Sequence, residues 1–286
     1  MEKLTSILAV LEEPATAGMV VHKAAALAQA FDARLEVLAI EPLTTAGIAS
    51  HCTALDYPHI TIRSVPLWGH CLSTVILREV RERQPDLVVK FRAGRHPLRR
   101  LALAESDWRL SRECPVPLML VEARAWATPM RFAAAVDVSD EPTLRVARSI
   151  VHTAGFLALG SRGNLDILYT ERELDDESLR MQRAVKLSRL VREFHVGCER
   201  LQMFDGTPER SLPPLIAARQ YDVLLLGAMS HRTGLTEAIC PLTARLVDAT
   251  SGDVVLVKEN RAVAIDARAS QPSIGEKSAQ QVEELV

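Results

Sequence analysis

The stretch from Asp222 to Lys258, DVLLLGAMSHRTGLTEAICPLTARLVDATSGDVVLVK, limits the choice of fold more than any other part of the chain. An apolar run, Val223 to Leu226, ends at Gly227 and is followed by a polar turn with Ser230, His231, Arg232, Thr233 and Gly234. A helix-compatible segment, Leu235 to Ala249, then leads to a second apolar run, Val254 to Val257. Short apolar runs bounded by Asp and Gly read as strands buried on both faces. Strand, glycine turn, helix, strand is the unit that presents backbone N–H groups to a phosphate at a strand's carboxyl end.

The same alternation runs through the whole chain. Strands are expected at Ile7 to Val10, Leu35 to Ile40, His59 to Val65, Leu87 to Lys90 and Pro117 to Val121. Helices are expected at Ala15 to Phe31, around Leu72 to Val80, and at Pro97 to Arg112. The order then recurs. Phe132 to Val136, Leu165 to Thr170 and Glu199 to Phe204 read as strands; Pro142 to Gly160, Ser178 to Phe194 and Arg210 to Arg219 read as helices. Such alternation predicts α/β architecture with parallel sheets, doubly wound, in two tandem copies of five strands each. Asp86-Leu-Val-Val maps onto Asp222-Val-Leu-Leu at an offset of 136, whereas Ala9-Val10-Leu11 maps onto Ala135-Val136-Asp137 at an offset of 126. The first copy is therefore ten residues shorter, and the loss sits best at Glu41 to Pro58, where a helix is expected to be missing. Expected boundaries are 1–125 for the first domain, 130–258 for the second and 259–286 for a polar tail expected to be disordered.

Composition excludes several function classes. The formal charge of −2 removes any global attraction to nucleic acid. No apolar run approaches the ~20 residues a membrane helix needs, and the opening MEKLTSILAVLEEPAT does not read as a secretion signal. Five cysteines, Cys52, Cys71, Cys114, Cys198 and Cys240, show no CxxC spacing, as in a reduced compartment. The expectation is a cytoplasmic protein without membrane or nucleic-acid partners.

Several segments resemble one family. DVLLLGAMSHRTGL…TARLVDATSGDVVLVK looks like the end of a universal stress protein domain. DLVVK, His96-Pro97, Asp107-Trp108-Arg109-Leu110 and Arg112-Glu113-Cys114-Pro115 resemble the first domain of the E-type tandem universal stress proteins. The resemblance spans about residues 3–258 and implies a five-stranded parallel sheet per domain, with helices on both faces. It also implies pairing of the two fifth strands, Pro117 to Val121 with Val254 to Val257. ATP-binding members of the family carry an Asp after the first strand and G-x2-G-x9-G-(S/T) after the fourth. Asp137 matches the Asp. The glycine signature does not carry over: counting from Gly227 places Ser230 and Cys240 at the later glycine positions, and anchoring on Gly234 places Ala228, His231 and Pro241 there, with Thr243 beyond. A Cβ at such positions blocks close approach of an anion, and proline removes a donor. In the first half Leu11 replaces the Asp and FRAGRHP holds only Gly94.

Two functional readings follow. The leading one is a non-catalytic, cytosolic stress-response binding or scaffold module, with unidentified protein partners and an open option of homodimerisation. The alternative is an adenine-nucleotide sensor or slow ATPase using the second domain. There ATP or AMP would be the cofactor, held by Asp137, Gly227, Ser230, Arg232, Gly234 and Thr243. For Asp137 the competing role is a loop acid at the start of the following helix.

Other residues carry weaker readings. Arg92, Arg95, His96, Arg99 and Arg100, with Arg109 and Arg112, form a basic run read as a solvated face or a grip for an anion. His51, Cys52, Asp56 and His59 match no zinc-site spacing, while Cys114 and Trp108 read as core. No Ser-His-Asp or Cys-His arrangement stands out, so no catalytic residue is expected.

Overall fold

A computed structural model describes residues 3–55, 57–92, 105–171, 177–194, 200–228 and 241–259. The first half runs β1 (Ser6–Leu11), α1 (Pro14–Phe31), β2 (Arg34–Ile40), α2 (Thr45–Thr53), β3 (Ile60–Val65), α3 (Leu72–Arg83), β4 (Leu87–Phe91), α4 (Glu105–Glu113) and β5 (Leu118–Val121). The second runs β6 (Arg131–Ala135), α5 (Glu141–Gly160), β7 (Asn164–Glu171), α6 (Glu177–Glu193), β8 (Arg200–Asp205), α7 (Pro208–Arg219), β9 (Val223–Gly227), α8 (Pro241–Ala249) and β10 (Asp253–Val257).

All ten strands join one sheet in the order β3-β2-β1-β4-β5-β10-β9-β6-β7-β8. Pairing is parallel within each half. It turns antiparallel at the centre, where Val254, Val255 and Leu256 face Leu120, Met119 and Leu118. The continuous apolar runs β1, β5 and β10 are buried throughout, whereas β3 and β8, at the two edges, are half exposed. Helices α1, α2, α5 and α6 pack on one face and α3, α4, α7 and α8 on the other. Both cores draw residues from both halves.

The duplicated Asp-Leu-Val-Val motif has a structural cause. Asp86 accepts from the Thr5 N–H at 2.7 Å and the Ser6 N–H at 3.0 Å. Asp222 accepts from the Arg131 N–H at 2.8 Å and the Ala127 N–H at 3.1 Å. In each half the acid opening the fourth strand satisfies amides at the entry to the first. The helix before it stops the same way, at Gln84 and Gln220, both at φ 50°.

One expectation is corrected. Residues 41–58 were expected to have lost a helix, but α2 is there. It is a nine-residue helix whose N-cap Thr44 accepts from the Gly47 N–H, against seventeen residues in α6. Only Ile48 and Cys52 of α2 are buried, so its apolar period is too sparse to read from sequence. The expected tail lies outside the described residues beyond Glu259. No helix among the described residues is long and apolar enough to cross a membrane.

Candidate functional site

In an open parallel sheet, ligands enter at the strands' carboxyl ends, where the strand order reverses. This chain has two such crevices, between β1 and β4 and between β6 and β9.

At the first crevice the chain places a buried group of charges. Lys90, in β4, is wholly buried, with its Nζ 2.5 Å from Asp107 Oδ1 on α4 and 2.8 Å from Glu12 Oε1 just after β1. It also donates to the Phe91 carbonyl at 2.8 Å. Burial works against the ammonium, but Asp107 and Glu12 together raise its pKa above the ordinary lysine value. Burial likewise raises the Glu12 carboxyl, more than Lys90 lowers it. The closer, fully buried Asp107 is thus the main counter-ion. This triad was missed in the sequence, although a lysine inside the run DLVVKF was its signal, since lysine is almost never buried without a partner.

The second crevice has no such group of charges among the described residues. Leu226 stands in β9 where β4 has Lys90. Asp137 is exposed after β6, and its Oδ1 accepts from the Ser139 N–H at 2.8 Å. The cap of α5 is Asp140 instead, in a capping box with Thr143. Asp137 therefore shapes the turn into α5 and does not cap the helix. Thr243, on α8, donates from Oγ1 to the Gly227 carbonyl at 2.9 Å. A Cβ at Gly227 would lie 3.1 Å from Val146 Cγ1, so close packing of α5 on β9 already favours glycine there. Ser230, Arg232 and Gly234 lie outside the described residues.

The basic run divides. Arg92 is 2% exposed and leaves the proposed solvated face altogether. Its Nη1 donates to the Val247 carbonyl at 3.1 Å, its Nη2 to the Thr250 carbonyl at 3.2 Å, and Glu122 pairs with it. Arg109 pairs with Glu113 at 2.9 Å and donates to Thr74 Oγ1. Arg95, His96, Arg99 and Arg100 lie outside the described residues. Cys114 is buried, and Trp108 packs against the same core. Cys52 is buried in the other core, the His51 ring lies over Gly18, and His59 meets Tyr57 edge-on, while Asp56 lies outside the described residues.

Comparison with known proteins agrees with this architecture. The model for the universal stress protein family matches residues 53–122, from the end of α2 to just past β5. A universal stress protein E homolog from Haemophilus influenzae is 27% identical over 225 residues, covering 70% of this chain and 72% of that one. A Pseudomonas aeruginosa UCBPP-PA14 protein assigned to the universal stress proteins superposes with a TM-score of 0.76 at 21% identity, over 94% of this chain and 98% of that one. A universal stress protein from Archaeoglobus fulgidus gives 0.61 at 12% identity, over 89% and 98%. At such identities the superpositions speak for the fold alone.

Proposed function

We propose that the chain is a two-part, non-catalytic module of the stress response that works by binding, a reading supported by the universal stress protein match over residues 53–122 and by the likeness to a universal stress protein E homolog. The observation that carries this reading is the first crevice. The Glu12–Lys90–Asp107 triad occupies the position where a ligand would enter between β1 and β4. Displacing it would strand buried charges at a cost of about 3–5 kcal/mol for each broken pair. The first half on this reading supports the fold, and any small-molecule binding belongs to the second half. With 1–125 and 130–258 as its two units, the protein presents a continuous sheet with paired helix layers as its binding platform.

A second reading, nucleotide sensing, keeps one supporting observation. Asp137 is exposed at the second crevice, and Gly227 and Thr243 meet at the end of β9 beside it. Isothermal titration of ATP and AMP into the purified protein separates the two, with Asp137→Ala as control. The binding-module reading expects no heat from either nucleotide. Micromolar binding lost in Asp137→Ala would replace it with the sensor reading.

A further inference from the structure

Helix α6 turns an apolar and basic stripe toward solvent. Met181 is 64% exposed and Val185, one turn on, is 56% exposed. Of its seventeen residues only Leu187 and Leu190 are buried. The helix carries five cations, Arg180, Arg183, Lys186, Arg189 and Arg192, against Glu177 and Glu193. An amphipathic helix normally sends its large apolar residues inward. Here Met181 and Val185 face outward beside Lys186 and Arg189, a combination that suits an acidic, apolar segment.

The chain carries such a segment. Residues 276–286, EKSAQQVEELV, hold Glu276, Glu283 and Glu284 against Lys277, and Val282, Leu285 and Val286 follow the i, i+3, i+4 spacing of one helical face. The last described residue, Glu259, pairs with Arg145 on α5 at 2.8 Å. Helix α5 is the neighbour of α6, joined to it by Arg148 and Glu193 at 3.7 Å and by the His152 ring, 5.0 Å from that of Phe194. From Glu259 to Val282 a flexible chain has a root-mean-square span of about 25 Å, and α6 itself is about 25 Å long. Arg145 and Arg148 are neighbours on α5, Glu193 ends α6, and Val185 lies eight residues or about 12 Å of helix before Glu193, so the chain leaving Glu259 is long enough to reach the stripe.

From this juxtaposition we infer that the exposed stripe of α6 is a docking surface for the chain's own residues 276–286. Val282, Leu285 and Val286 cover Met181 and Val185, and Glu283 and Glu284 meet Lys186 and Arg189. The inference is independent of whether the second crevice takes a nucleotide.

Hydrogen exchange on the full-length protein tests it. In Leu285→Asp/Val286→Asp the α6 amides are expected to exchange about tenfold faster than in the unsubstituted chain, and Met181→Asp, changed from the other side, is expected to do the same. Unchanged α6 exchange in the tail variant overturns the inference. Zero-length carbodiimide coupling then identifies the occupant. A product of monomer mass joining Lys186 to Glu283 or Glu284 is expected, and the same link found only at dimer mass assigns the surface to a second copy and overturns it.

Discussion

At Cys71, the N-cap of α3, the thiol lies 2.8 Å from Thr74 Oγ1 and 3.0 Å from an Arg109 guanidinium nitrogen. Hydrogen bonds from Thr74 and Ser73 lower its pKa to about 7, whereas burial raises those of Cys52 and Cys114. The thiolate is the reacting species, so the expected order of alkylation by iodoacetamide at pH 7 puts Cys71 first of these three by roughly tenfold or more. Thr74→Val is expected to slow Cys71 at pH 7 and to leave its rate at pH 10 nearly unchanged. Equal slowing at both pH values would point to access, not to the hydrogen bond. Single residues were the least legible scale in the sequence. Cys71 looked like any unpaired cysteine, because its partners come from α3 and from Arg109, 38 positions away. Arg92 looked like one member of a basic run, because its acceptors lie 155 and 158 positions further on.

Those acceptors matter for the elements. The carbonyls of Val247 and Thr250 belong to the open end of α8, where a cation is favoured by the helix dipole. Arg92 follows β4 of the first half, so one half caps the last helix of the other. The exchange is mutual, since Lys258, following β10, donates to the carbonyl of Arg112 on α4. Arg92→Leu would leave Glu122 and two helix carbonyls short of a donor at about 1–3 kcal/mol for each group that stays buried. The expected result is a lower urea midpoint, with faster amide exchange concentrated in the last turn of α8. Uniform destabilisation without that local signature would mean that the cap is not what Arg92 contributes. Elements themselves were largely legible. Strands announced themselves as apolar runs bounded by Asp, Gly or Pro, and the long amphipathic helices by their period. What escaped was α2, which buries two side chains and so leaves no periodic trace. The turn after β9, the part of the site on which a phosphate reading depends, shows only its poor glycine content at the sequence level.

For the whole molecule, the repeat announced the two halves, and the resemblance implied that their fifth strands meet. How tightly they meet was not legible, because it depends on side chains far apart in sequence. Phe31 of α1 stacks on Phe156 of α5, ring centres 4.9 Å apart, with Gly160 against the same Phe31 ring. Beside the central strand pair, Lys23 of α1 meets Asp253 of β10 at 2.8 Å, both buried. Asp253 also accepts from the Glu122 N–H at 2.7 Å and from Trp126 Nε1–H at 2.6 Å. Burial dominates on both sides, lowering the Lys23 pKa and raising that of Asp253, so each ion depends on the other to stay charged. Lys23→Met therefore leaves a buried carboxylate without its cation, a loss of about 3–5 kcal/mol. Asp253→Asn made on top of Lys23→Met removes the stranded charge and keeps one acceptor oxygen, enough for either the Glu122 N–H at Oδ1 or the Trp126 Nε1–H at Oδ2 but not for both. The double variant is thus expected to be more stable than Lys23→Met alone, with a coupling of about 0.5–3 kcal/mol in a double-mutant cycle. Because the pair spans both halves, urea unfolding followed by circular dichroism should remain one transition that moves as a whole. A biphasic curve in which only one phase moves would show instead that the halves unfold separately and that the continuous sheet does not make them one cooperative unit.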